Sequence, residues 1–420
     1  MIISDPAIIS ELRSSTFSRE LKVIINGTVY DSSHVISESL VLKSSIMDES
    51  SFVLGGCVAS QLTLKMIGVT PSAVLGKTIE IYVKQGCARG SVFPSDDFLP
   101  SSEAAPLGSV VTFEYQLFSG IINSAARQKN RAVFELSAYD EFYRMSCTKC
   151  RDWLKQYIFY AIDHHSDITL GDLTETALTQ FDNIYSTDYA DAFHNAAVYS
   201  FNKQKSLSMT RDLVDRFCDS SLSVLDILKA YCELNAQFAY IDSEGELVFK
   251  TLYKISGSVP AQYSTSQKDR DIRLLSYTDL EFEDFRTPEI KYISFPQNGG
   301  ENSCDYGYSN DKSCWYISGN ILTKLCTNVE NLVTAFWSSG SQENFIFGDI
   351  CRYRPCSVMA FGEWWLEPGD KFDLITGYSD LQYMESFIFS REIRGVSGMK
   401  VIVGAKGQSY SERKVDIVSE

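Results

Sequence analysis

At 420 residues, with 44% hydrophobic and 22% charged residues, the chain is too long for one ordinary core and has the make-up of roughly two to four globular domains. A formal charge of −16, from 54 acidic against 38 basic residues, excludes a protein that grips nucleic acid through a broad basic surface. No stretch of about 18 apolar residues reads as a membrane helix. Eleven cysteines, an odd number spread through a long chain, speak against a disulfide scaffold and for reduced thiols in a protein assembled in a cytoplasm.

Residues 1–20 read as a helix-capable arm, capped by Ser4-Asp5-Pro6 and carrying Ile8, Ile9 and Leu12 on one stripe. The N-terminal stretch lacks a basic segment followed by an apolar one, so no signal peptide is expected. Leu21-Lys22-Val23-Ile24-Ile25, Asn26-Gly27 and Thr28-Val29-Tyr30 then spell strand, turn and strand, the strongest short hairpin signal available. Apolar and polar residues alternate over 35–42 and 61–67, broken by Gly55-Gly56, and strands at 78–83, 110–117 and 132–136 extend the meander around a polar loop at 91–109.

The period then changes. Residues 153–161, 169–181, 207–217 and 223–232 carry helical spacing, the last opened by Ser223 as a cap. A hairpin follows, 237–241 and 247–250, closed by the acidic Gly turn Asp242-Ser243-Glu244-Gly245-Glu246. Strands return at 272–277 and 290–295, followed by a loop at 297–310 and an amphipathic stretch at 321–337. Last come the apolar run 358–361, Trp364-Trp365-Leu366, the turn Glu367-Pro368-Gly369-Asp370 and a strand at 371–376. The expected fold is β-rich α+β, two small β-barrel domains separated by a helical or α+β insert. Its predicted parts are an arm at 1–20, a first barrel at 21–145, an insert at 146–270, a second barrel at 271–410 and a charged tail at 411–420.

Catalytic equipment is sparse. Cys147-Thr148-Lys149-Cys150 followed by His164-His165 offers four zinc ligands in a usable order. The adjacent histidines point different ways, however, and no second CxxC follows, which favours reduced structural cysteines near a domain junction. A thiol redox role needs a βαβ context that the preceding meander does not offer. Glu281, Glu283 and Asp284 alternate with Leu280, Phe282 and Phe285 as a solvated strand face does, rather than forming the separated acid and base of a glycosidase. GxSxG and P-loop patterns are both missing from the sequence. On a strand, Trp364 and Trp365 face opposite sides, one into the core and one toward a partner, which is preferred to a sugar-stacking platform. No catalytic residue, cofactor or metal is expected, and the chain is not read as an enzyme.

Motifs in a fixed order carry a family likeness. They are Phe52-Val53-Leu54-Gly55-Gly56-Cys57, Leu75-Gly76-Lys77-Thr78-Ile79-Glu80-Ile81, Phe118-Ser119-Gly120-Ile121-Ile122 and Ala138-Tyr139-Asp140, then Trp315-Tyr316-Ile317-Ser318-Gly319-Asn320, Tyr353-Arg354-Pro355, the Pro368-Gly369 turn and Val401-Ile402-Val403-Gly404. Over most of its length the chain resembles bacteriophage tail hub proteins, the trimeric baseplate hub or tail-tip family. The resemblance implies a structural virion protein whose two barrels, repeated in a homotrimer, form six positions around an axial channel for DNA ejection. Such a ring adapts the sixfold tail tube to the threefold tip. Interface or structural residues implied are Gly76, Ile79, Ile81, Tyr139, Asp140, Trp364, Trp365, Pro368, Gly369 and Asp370. Segments 75–83 and 371–376 are expected as equivalent barrel strands, and loops 91–109 and 297–310 as contacts to neighbours. Implied partners are a distal tail or tail tube protein, a tape measure protein and a tail fibre or receptor-binding protein, with DNA passing unbound and no membrane insertion. The implied location is the tail tip or baseplate of the virion, after assembly in the host bacterial cytoplasm. A tail-associated cell-wall hydrolase or a receptor-binding adhesin is the alternative.

Overall fold

A computed structural model describes residues 12, 18–47, 55–88, 110–129, 132–185, 206–235, 237–250, 261–264, 274–278, 292–297, 302–307, 314–316, 320–327, 357–375, 384–396 and 399–404. Most of the expected arm, the 91–109 loop, Glu281, Glu283, Asp284 and the 411–420 tail lie outside these residues. The N-terminal strands are β1 (Arg19–Ile25), β2 (Thr28–Tyr30), β3 (Val41–Ser45), β4 (Gln61–Ile67), β5 (Thr78–Ala88), β6 (Val110–Arg127) and β7 (Val133–Tyr139), with a short helix α1 (Pro71–Val74) between β4 and β5. Asn26 and Gly27, with φ of 48° and 78°, make the expected tight turn between β1 and β2.

Alternation decides which face is buried. Leu21, Val23 and Ile25 of β1, Leu62, Leu64 and Met66 of β4, and Ile79, Ile81 and Val83 of β5 all point inward. Their neighbours carry an outward ladder of charge, with Lys22 and Lys84 at 2.7 Å and 3.2 Å from Glu114 and Lys65 at 3.6 Å from Glu135. In β6 the register shifts opposite Ile81 and Tyr82, so that consecutive Leu117 and Phe118 are both buried, as a bulge allows.

The middle of the chain supplies α2 (Glu141–Cys147), α3 (Arg151–Asp163), α4 (Leu170–Tyr185), α5 (Arg211–Phe217) and α6 (Val224–Leu234), followed by the hairpin β8 (Phe238–Ile241) and β9 (Leu247–Lys250). Ser223 and Asp226 form a reciprocal capping box at the start of α6. Eight of its eleven residues are buried, so it is the central helix, packed on α2, α4 and β8. No helix among the described residues is long and apolar enough to cross a membrane.

The C-terminal half contributes β10 (Ala261–Ser264), β11 (Leu274–Thr278), β12 (Tyr292–Gln297), β13 (Asn302–Gly307), β14 (Cys314–Tyr316), the short helix α7 (Ile321–Leu325), β15 (Ser357–Phe361), β16 (Lys371–Ile375), β17 (Met384–Phe387), β18 (Ser390–Arg394) and β19 (Lys400–Gly404). Four of these strands join the N-terminal ones in a single eleven-stranded antiparallel sheet, ordered β11-β15-β19-β18-β3-β4-β7-β6-β5-β1-β2. The described strands close no barrel: β18 pairs with β3, Ser390 opposite Ser45 and Arg394 opposite Val41, and carries the sheet across from one half to the other. Separate three-stranded sheets hold β10-β16-β17 and β13-β12-β14.

Several expectations change. Residues 35–42 are not one strand. Two 3-10 turns, Ser32–His34 and Ser37–Ser39, precede β3, because Asp31 caps the first and Ser39 Oγ bonds Ile36 O and receives Lys65 N at the second. The expected loop at 297–310 contains β13, paired antiparallel to β12. The helix begun at Ile321 stops at Leu325, where Cys326 turns extended to bridge Met209. Segments 75–83 and 371–376 are not equivalently placed: β5 lies between β1 and β6 in the large sheet, whereas β16 lies between the parallel β10 and the antiparallel β17.

Candidate functional site

At the turn Trp364–Asp370 the two halves and the insert meet through buried hydrogen bonds. β15 ends at Phe361, and Gly362, with φ of 76°, turns the chain inward. Trp364 and Trp365 therefore lie on a turn rather than a strand. Both are buried, at 0% and 1% exposure, with ring centroids 5.6 Å apart and nearly perpendicular. The expectation that one of them faces a partner is corrected by this geometry, since leaving the strand removed the alternation that would have separated them.

Each end of the turn is fastened to a different part of the chain. Trp364 Nε1 donates to Gln85 Oε1 of β5 at 3.0 Å, and that oxygen also accepts from Arg19 Nε of β1 at 2.9 Å. Gln85 Nε2 in turn donates to Leu12 O at 3.2 Å. Arg391 of β18, 4% exposed, donates through Nη1 to Trp364 O at 3.3 Å and to Leu366 O, and through Nη2 to Ser44 Oγ of β3 at 3.3 Å. Burial pulls the Arg391 guanidinium below its ordinary pKa, opposed by the charges of Glu367 and Asp370.

The tip of the turn meets the insert. Pro368 precedes Gly369, whose φ of 84° suits a residue without Cβ, and Glu367 N donates to Asp370 Oδ2 at 2.9 Å. Lys250 of β9 donates to Pro368 O at 3.2 Å and to Asp370 Oδ1 at 3.0 Å, while Tyr240 of β8 donates to Glu367 Oε2 at 3.3 Å. Burial, then the Glu367 and Asp370 charges, push the Tyr240 hydroxyl far above its usual range, so it remains a donor. A Cβ on Gly369 would sit 2.7 Å from Lys250 Cδ, so the turn and the insert are in close contact.

Of the residues singled out in the sequence, Trp364, Trp365, Pro368, Gly369 and Asp370 belong to this junction. Asp140 adjoins it, capping α2 by accepting from Phe142 N at 3.0 Å and tying in Ser60 N at 2.7 Å. Tyr139 stacks on Tyr143 at 4.8 Å and accepts from Gln61 Nε2 at 3.2 Å. Ile79 and Ile81 are plain core, and Gly76, with φ of 75°, turns the chain into β5. Sequence reasoning missed Arg391, Gln85, Tyr240 and Lys250. A signal existed for two of them: Gln85 follows Ile79, Ile81 and Val83, and Arg391 stands between Phe389 and Ile393, so each is a polar residue on an inward beat of the alternation.

The zinc candidates are not brought together. Cys150 caps the N-terminus of α3 and His164 its C-terminus, about 20 Å apart along the axis, while Cys147 is exposed and Cys150 buried against Leu222 O. No cluster of three metal-ligating side chains occurs among the described residues. Burial raises the Cys150 thiol to about 12, far from the thiolate that metal binding needs. A groove of 610 Å³ opens beside α6, lined by Gly55, Gly56, Arg216, Lys229, Glu233 and Lys324, and its mixed charges select no ligand class.

No protein-family model matches the sequence, and no curated protein does. Among solved structures, the tail protein from Neisseria meningitidis MC58 superposes with a TM-score of 0.52 at 11% identity, covering 94% of this chain and 98% of that one. The 43 kDa tail protein of prophage MuSo2 from Shewanella oneidensis gives 0.43 at 10% identity, over 93% and 98% of the two chains. A chain of the p2 virion baseplate in its activated conformation gives 0.29 at 9% identity, over 93% and 99%. The two looser overlays add nothing to the assignment that the first supports. The chain has the fold of a phage tail protein, as the order of motifs in its sequence implied.

Proposed function

We propose that the protein is a structural component of a phage tail, a hub of which three copies close a ring at the tail tip or baseplate. The observation that carries this reading is the shared fold with a tail protein over 94% of this chain and 98% of that one, which leaves little of either chain for an added catalytic module. On this reading residues 21–145 and 271–410 are the two barrel-derived domains, 146–270 the insert, and the β3–β18 pairing the seam between them. Three subunits with two such domains each offer six positions to a sixfold tube and a threefold axis to the tip.

The bore of the ring carries net negative charge, in keeping with the −16 of the chain. An acidic wall repels DNA weakly and lets it slide, whereas a basic wall holds it by counterion release. Above and below the ring the partners are a distal tail or tube protein, a tape measure protein, and a fibre or receptor-binding protein, with assembly in the bacterial cytoplasm. The role is scaffolding, without catalysis. Light scattering on the purified chain, alone and with the co-expressed tail tube protein, is expected to give three times the 47.2 kDa chain mass for the chain alone, or that mass plus the tube subunits for the complex, in at least one of the two samples. A monomer in both samples contradicts the reading.

A further inference from the structure

Two thiols meet where the first half packs on the central helix. Cys57, 2% exposed, follows the turn at Gly55, and Cys232, 0% exposed, lies in the last turn of α6; both are free. The two stretches of chain touch on either side of the pair. Gly55 passes so close to α6 that a Cβ there would sit 2.4 Å from Glu233 N. Cys57 itself bridges Ala239 of β8, and Gly56 O accepts from Ala239 N at 3.3 Å. Gln237 N, just before β8, donates back to Cys232 O at 2.9 Å. Cys57 Sγ donates to Gly55 O at 3.6 Å, and Cys57 is the one side chain that acts on the Cys232 thiol, as a hydrogen-bond partner and as a charge. We propose that Cys57 and Cys232 are a disulfide-forming pair, which closes when the folded chain meets an oxidant and joins the first half covalently to the insert.

Access decides which sulfur reacts first. Cys57 forms part of the wall of the 610 Å³ groove beside α6, and Cys232 does not, so a small disulfide such as oxidised glutathione reaches Cys57. The Cys57 sulfur gives up its proton and attacks one sulfur of that molecule, forming a mixed disulfide and releasing one thiol, which carries the proton away. Cys232 then loses its own proton and attacks Cys57 Sγ, and the second small thiol leaves with that proton. Two protein thiols are oxidised and one small disulfide is reduced to two thiols. Burial, then Cys57, hold the Cys232 thiol well above its ordinary range, so closure is slow, on the order of minutes to hours.

The remaining described thiols are less well placed. Cys150 feels the charge of Cys218 without a hydrogen bond from it, no other thiol acts on Cys326, and Cys147 is exposed at the end of α2. Only the moment of oxidation rests on the proposed function, since a tail protein assembled in a reducing cytoplasm meets an oxidant after it leaves the cell. The pairing itself is a property of the single chain, whether or not three copies assemble.

The test takes the full chain, purified with a reductant, freed of it and incubated under native conditions with oxidised glutathione. Remaining thiols are alkylated, the chain is digested without reduction, and the peptides are identified by mass spectrometry. A linked pair of peptides carrying Cys57 and Cys232, two hydrogen atoms lighter than the two apart and separated by reduction, is expected. Recovery of both residues as alkylated thiols, of Cys57 only as its glutathione adduct, or of either one bridged to a different cysteine overturns the proposal. Urea unfolding followed by circular dichroism gives a second readout. The oxidised wild type is expected to unfold at a higher urea concentration than the reduced protein, because the bond restricts the unfolded chain, and Cys57→Ala and Cys232→Ala are expected to lose that difference. A rise that persists equally in both variants overturns the assignment. Should neither variant fold, the peptide map of the wild type decides alone.

Discussion

Replacing Trp364 by Ala is expected to lower the unfolding free energy by about 3–5 kcal/mol, the range for removing a fully buried large aromatic side chain. The ring is 0% exposed, lies 5.8 Å from Tyr115 of β6 and 5.6 Å from Trp365, and gives its one N–H to Gln85. Truncation leaves a void among rigid strands, where relaxation is limited. Trp364→Phe keeps most of the volume and forfeits the hydrogen bond, for a loss of about 1–2 kcal/mol. Urea unfolding of the three proteins checks both figures, and an equal, small loss in both variants contradicts the packing described.

Arg391→Met is expected to cost a similar amount, about 3–5 kcal/mol, by a different route. The side chain is roughly volume-conserving, so no large void opens. What is lost is the only side-chain donor seen on Trp364 O and Leu366 O among the described contacts, together with the cation that faces Glu367 and Asp370. Arg391→Lys keeps the charge without the planar fork that reaches two carbonyls and Ser44 at once, and is expected to recover only part of the loss. Full recovery by Lys contradicts the assigned role of the guanidinium geometry.

Local chemistry was legible in the sequence where a single residue type decides the conformation. Asn26-Gly27 takes positive φ at both positions, Ser223 and Asp226 close a capping box, and Pro368-Gly369 turns as expected. The strands at 61–67 and 238–241 and the helices of the insert followed from period alone. What escaped depends on partners far away in sequence. Nothing local says that Ser390 lies opposite Ser45, and so two sheets were expected where one runs through both halves. The tryptophan pair was misplaced for the same reason: Gly362 was read as a turn, but Trp364 and Trp365 after it were given a strand's alternation, whereas they stay within the turn. The resemblance located the turn but not what it holds. Arg391 was passed over because a charge on an inward position reads as noise until Trp364, Leu366 and Ser44 are seen around it.

The claim on which the proposed function depends is that three copies close around a bore. A cryo-electron microscopy reconstruction of the chain bound to its tail tube partner, calculated without imposed symmetry, tests it most directly. The expected map has three subunits about one axis, an open centre, and the β3–β18 seam intact in each subunit. A map with one or two copies, or with the axis filled by the subunits themselves, contradicts the account.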